Sequence, residues 1–108
     1  MDTHTDQSFF ERVYKAVRTV PVGFVTTYGD IARAIGTKDS RRIGHALHAN
    51  PTQETPCHRV VFADGSLATG FAFGGPKEQL RLLEFEGVVF TDDGKVDLKS
   101  CRYTGPLL

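Results

Sequence analysis

The pentapeptide Pro56-Cys57-His58-Arg59-Val60 sets a nucleophile beside a titratable base. Cysteine attacks as the thiolate, and the free thiol titrates near ~8.5, so a working nucleophile needs a neighbouring base or a positive field to lower that value. His58 and Arg59 are the candidates to supply it. The proline before the cysteine and the β-branched Val60 and Val61 after it restrict the backbone and leave the sulfur little freedom. Preorganisation of that kind suits a nucleophile. A buried structural thiol next to a surface histidine would show the same dipeptide, so the elements around it must discriminate.

Those elements are mostly helical. Ser8 with Glu11 forms a capping-box signature, and Phe10, Val13, Tyr14, Val17 and Val20 then repeat at helical spacing up to Pro21. The polar residues 1–7 before them are expected to be disordered. Val22 to Val25 is an extended link, after which Thr27 and Asp30 open a second helix through Ile31, Ala34 and Ile35, closed by Gly36. A third helix is predicted from Arg41 to about Ala49, stopped by Asn50-Pro51. Two short helices around a glycine turn fit a helix-turn-helix. Projected at about 100° per residue, Ile43, Ala46 and Leu47 share one arc of the third helix, and Arg41, Gly44, His45 and His48 share the other. Such a face can dock into a groove, with Gly44 permitting close approach and Arg41 reaching further. A solvated amphipathic helix has the same pattern.

Beyond the cysteine, Arg59 to Phe62 and Ser66 to Leu67 flank Ala63-Asp64-Gly65 as a strand, a tight turn and a return. Ala68 to Gly75 holds Gly70, Gly74 and Gly75 interleaved with Phe71 and Phe73, a pattern that fits a loop walling a pocket and equally an ordinary loop. Pro76 starts a helix through Leu80, Leu82, Leu83 and Phe85 that ends at Gly87, with Glu84 and Glu86 in its last turn. Val88 to Phe90, Asp92-Asp93-Gly94 and Val96 to Leu98 predict a terminal hairpin, so residues 92–108 read as hairpin and tail. The fold expected is mainly α with a small β component, as one domain over residues 1–108.

Thirteen Lys and Arg balance thirteen Asp and Glu, so nucleic acid would have to be held by a local patch rather than by bulk charge. Arg33, Lys38, Arg41, Arg42 and Arg59 outnumber Asp39 and Glu54 over residues 33–59, whereas acids dominate residues 84–97. Cys57 and Cys101 lie far apart without metal-ligand spacing, which argues against structural zinc and against a disulfide framework. No signal-peptide core and no apolar run of bilayer length are present, so a reducing cytoplasm is the expected setting and no membrane the expected partner.

The ordered blocks Pro21-Val22-Gly23, Val25 through Ala32, Arg41 through Gly44, Asn50-Pro51, Pro56 through Val61, Asp64 through Leu67 and Leu82 through Gly87 resemble the C-terminal domain of the O6-alkylguanine-DNA alkyltransferase family. The resemblance runs from about Phe9 to Val89 and implies a winged helix-like, helix-turn-helix DNA-repair module. Such a module binds the minor groove of double-stranded DNA, rotates O6-alkylguanine out of the stack and presents it to the cysteine. On that match Arg41 fills the vacated place and Tyr28 pushes the 3′ phosphate; Arg42 as a phosphate contact, and Gly44, His45 and His48 as groove lining, are further DNA-binding candidates to which the match gives no role of their own. Asn50 is the hinge, His58 activates the Cys57 thiol through a water, and Glu86 orients His58. The carbonyls of Cys57 and Val60 receive the exocyclic amine, in a base pocket completed by Tyr28 and Phe71. No metal or organic cofactor is implied, the acceptor turns over once, and a monomer is expected.

Some features depart from the repair enzymes. The N-terminal domain that commonly precedes this module is expected to be absent, the linker Thr52-Gln53-Glu54-Thr55 is polar where an apolar one is usual, and His45 stands where glycine is common. These point to the short alkyltransferase-like proteins, which bind and flip the lesion without repairing it, typically carry tryptophan in place of the cysteine, and flag damage for nucleotide excision repair proteins. Retention of Cys57 keeps alkyl transfer chemically open, so two expectations stand: a suicidal alkyl acceptor and a lesion sensor.

Overall fold

A computed structural model describes the backbone of residues 2–68 and 73–107, and the side chains from residue 8 onward within those ranges. The order is α1 (Asp2–Thr19), β1 (Thr26–Thr27), α2 (Tyr28–Ile35), α3 (Ser40–His48), a 3-10 turn (Cys57–Arg59), β2 (Val60–Val61), α4 (Gly75–Phe85) and α5 (Leu98–Cys101). The chain is thus mainly helical, with one two-stranded sheet.

Local signals set the helix-turn-helix. Thr27 accepts from the Asp30 amide at 3.0 Å to cap α2, and Gly36 ends it in the left-handed region at φ 82°. The next helix begins one residue earlier than its pattern predicts because Asp39 caps it, accepting from the Arg42 amide at 3.1 Å. Ile43, Ala46 and Leu47 are its buried face, as the projection requires. α1 differs from expectation: it starts at Asp2, so the backbone of residues 2–7 is helical and Ser8 lies inside the helix.

The β expectations change partner. The 62–66 turn forms, with Phe62 N–H on the Ser66 carbonyl at 3.0 Å, but Ser66-Leu67 does not return as a strand. β2 instead pairs in parallel with β1, Thr26 opposite Val60 and Thr27 opposite Val61. All four residues are buried, which is how a parallel pair differs from a half-exposed hairpin. The turn is pinned by Gly65 at φ 89°, where a Cβ would come within 2.4 Å of the Val96 carbonyl. The terminal hairpin shrinks to a single antiparallel bridge, Phe90 to Val96, and Leu98 belongs to α5, capped by Asp97.

Alternate faces of β2 join two apolar clusters. Val60 packs with Val13, Val17, Ile31, Ile35, Ile43 and Leu47 between α1, α2 and α3. Val61 packs with Val25, Leu83, Val88, Val96 and Cys101. The Cys57–Arg59 turn sits at this seam, carried by the strand that stitches it. Among the described residues no helix is long and apolar enough to cross a membrane.

Candidate nucleic-acid interface

A cavity of about 460 Å³ opens between the start of α2 and the polar face of α3. Tyr28, Arg41, Gly44, His45, His48 and Cys57 all line it. Gly44 leaves the groove open, since a Cβ there would meet nothing within 4 Å. Ala68, the first residue of the loop expected to wall a pocket, lines it too, as does Phe62, which was not singled out from the sequence. Phe62 is 43% exposed, and its ring lies 5.2 Å from that of Tyr28. The only available signal was an aromatic residue two places beyond a strand start. Burial, then the nearby Cys57, push the Tyr28 hydroxyl up to about 12, so it faces the cavity as a neutral phenol.

Arg42 does not share this wall. One residue around the helix from Arg41, its guanidinium stacks over Phe9 of α1 at 4.0 Å from the ring centre. Helical phase turns the side chain toward the scaffold instead of the cavity wall. Val60 is also displaced from the cavity. It is fully buried in β2, and its carbonyl accepts from the Gln79 side chain at 3.0 Å. The Cys57 carbonyl accepts the Val60 N–H within the 3-10 turn. Phe71 lies outside the described residues.

Cys57 is 6% exposed, on the boundary of the cavity and the core. Asn50, in the link after α3, donates its side-chain amide to the Thr55 carbonyl at 3.1 Å and to the Cys57 sulfur at 3.5 Å. Thr55 is itself anchored by Arg18 of α1 at 3.0 Å, so side-chain hydrogen bonds satisfy the polar linker where an apolar one would use packing. Burial pushes the thiol above its usual value, and the Asn50 hydrogen bond only partly counters this.

The expectation that His58 and Arg59 lower the thiol value is corrected by that upward direction, and both side chains converge on Glu86. His58 Nε2 lies 2.8 Å from Glu86 Oε2, while Arg59 grips both carboxylate oxygens at 2.9 and 2.8 Å and donates to the Val20 carbonyl at 2.8 Å. Burial acts to raise the Glu86 value, but the Arg59 and His58 hydrogen bonds outweigh it and hold the carboxyl below the usual range. Cys57 and His58 both face a second cavity of about 160 Å³. The structure therefore brings Tyr28, Arg41, Gly44, His45, His48 and Cys57 around one space. Asn50, His58 and Glu86 stand behind it.

A basic helix face over a cavity with cysteine at its edge defines a helix-turn-helix DNA-binding module equipped to enclose a small group. A profile for the 6-O-methylguanine DNA methyltransferase, DNA binding domain, matches residues 8–88, and the chain belongs to that family. The DNA base-flipping protein of Escherichia coli K12 is 36% identical over 102 residues, covering 91% of this chain and 76% of the relative. A bifunctional methyltransferase/endonuclease of Picrophilus torridus is 38% identical over 96 residues, covering 87% of this chain and 31% of the relative. The chain spans about half the length of the methylated-DNA–protein-cysteine methyltransferases it also matches. Among solved structures, S. pombe Atl1 in complex with damaged DNA containing O6-carboxymethylguanine superposes with a TM-score of 0.78 at 33% identity, covering 92% of this chain and 97% of that one.

Proposed function

We propose that the chain is a lesion-recognition protein that docks α3 on duplex DNA and holds an everted O6-alkylguanine in the cavity between Tyr28 and Cys57. The observation that carries this reading is the shared wall: Arg41, Tyr28 and Cys57 line one cavity of about 460 Å³ that opens on the basic face of α3. Rotating a base out costs a few kcal/mol of unstacking, and a guanidinium in the gap offsets part of that. Arg41 is exposed on the cavity rim, placed for this. The near end-to-end match to Atl1, whose structure holds damaged DNA, supports the recognition reading over a catalytic one. In that reading the bound chain marks the lesion for nucleotide excision repair proteins.

Retention of the thiol favours a second reading, alkyl transfer to Cys57. The sulfur would attack the alkyl carbon, forming the S–C bond as the C–O6 bond breaks, and the thiol proton would end on the released guanine. His58, paired with Glu86 and sharing the smaller cavity with Cys57, is placed to pass that proton through water. Intact mass after incubation with a duplex containing O6-methylguanine separates the two. Preferential binding of the lesion duplex with unchanged mass is the expected outcome. A single methyl gain that disappears in Cys57→Ala would establish transfer, and equal binding of damaged and undamaged duplexes together with unchanged mass would end both readings.

A further inference from the structure

Gln79 is the polar side chain of α4 that lies wholly inside the protein, at 0% exposure. Its phase with Leu82 and Leu83 places it on the inner stripe of the helix, where an apolar residue is the usual occupant. There its carboxamide joins three segments distant in sequence. The side-chain oxygen accepts the Ala68 N–H at 2.8 Å, and the side-chain nitrogen donates to the carbonyls of His58 and Val60, both at 3.0 Å. Both protons of the amide are therefore used, one on the Cys57–Arg59 turn and one on β2.

Two of these segments form parts of the same wall. Cys57 precedes the residue whose carbonyl Gln79 holds, Ala68 is the residue whose amide it holds, and both line the large cavity. One planar group thus spans from behind the thiol to the last described residue before the 69–72 segment. We propose that Gln79 is a positioning residue for lesion discrimination: it fixes the Ala68 wall at a set distance from Cys57, so that the cavity closes on the modified edge of the everted base. The inference rests on the reading of that cavity as the lesion pocket.

A role confined to stability and a role in discrimination predict different results. If Gln79 only holds the fold together, its replacement lowers the unfolding midpoint and changes binding to damaged and undamaged duplexes in parallel. If it sets the wall, the ratio of the two affinities collapses while binding to undamaged DNA persists, because α3 and Arg41 lie on other elements. Gln79→Lys separates the two ties, since the ammonium can still donate to the His58 and Val60 carbonyls but offers nothing to the Ala68 amide. Gln79→Met removes both while keeping the shape.

The test compares anisotropy of the full chain and both variants on matched duplexes with guanine or O6-methylguanine, at a temperature where circular dichroism shows each fully folded. The expected result is a lesion preference in the parent chain reduced about tenfold in Gln79→Lys, with affinity for undamaged DNA within about twofold. Amide exchange should show faster exchange at Ala68 in that variant. An unchanged preference in a folded Gln79→Lys overturns the inference and leaves the lesion pocket standing; absence of any preference in the parent chain overturns the pocket itself and the inference with it. Should Gln79→Met fail to fold, Gln79→Lys alone decides.

Discussion

The cavity side and the inner side of the Cys57–Arg59 turn are built on opposite principles. On the cavity side Arg41 and His45 are exposed on α3 and line the cavity. On the inner side the polar groups pair with one another: Glu86 is shared by His58 and Arg59, and the Thr55 carbonyl takes both the Asn50 side-chain amide and the Cys57 N–H. Charge left exposed is available to an incoming anion, whereas charge that is buried must be paired to be tolerated at all. A single turn therefore sets its thiol at the edge of the cavity on one face and is held by paired groups on the other.

The sharpest way to break this contrast is Glu86→Gln. Leaving the Arg59 guanidinium in a half-buried site without its carboxylate should lower stability by roughly 3 kcal/mol in urea unfolding at neutral pH. The same pair fixes a pH dependence. Because folding holds the Glu86 carboxyl below its ordinary value of 4.5, the unfolded chain binds the proton first as pH falls. The stabilisation is complete above that value and is lost as pH drops through the lower folded value. Glu86→Gln should flatten this acid limb, and an unaltered limb would remove Glu86 from the account.

Arg41→Ala should do the reverse. Lesion-duplex affinity falls by about thirtyfold, or roughly 2 kcal/mol, while the unfolding midpoint stays put because the side chain is exposed. Arg42→Ala sharpens the comparison one residue further on. Losing the stack over Phe9 should cost about 0.5–1 kcal/mol of stability and leave lesion affinity within about twofold. If the two variants weaken DNA binding equally, the division between the faces of α3 fails.

Asn50→Ala has the smallest expected effect, on the thiol itself. Burial disfavours the thiolate and the Asn50 amide favours it, so the pH profile of Cys57 modification by iodoacetamide should lie above that of a free thiol. Removing the amide should shift the profile further upward. Peptide mass spectrometry reads this directly, and a downward shift would contradict the assigned hydrogen bond.

Much of the recognition surface was legible because its signals are local. The Thr27–Asp30 cap, the Gly36 stop and the apolar arc of Ile43, Ala46 and Leu47 each lie within a few residues, and with the Pro-Cys-His-Arg string they place Tyr28, Arg41, His45, His48 and Cys57. The parallel pairing of Val60 with Thr26 was not legible, nor was the helix at Leu98–Cys101. The first depends on a partner across the fold, and the second is too short to show a period. Phe62, Thr55 and Gln79 escaped notice for the same reason, since each acquires its role from what folding sets against it.

By itself the sequence determined the helix-turn-helix, the residues that face outward from it and the presence of a thiol, because capping, periodicity and residue chemistry act over one or two turns of chain. Only the tertiary structure decided that Arg42 faces the scaffold, that Val60 is withdrawn into the sheet, and that His58 and Arg59 converge on Glu86. Those outcomes follow from burial, which makes each charged or polar group seek whichever partner the folded chain brings within about 3 Å.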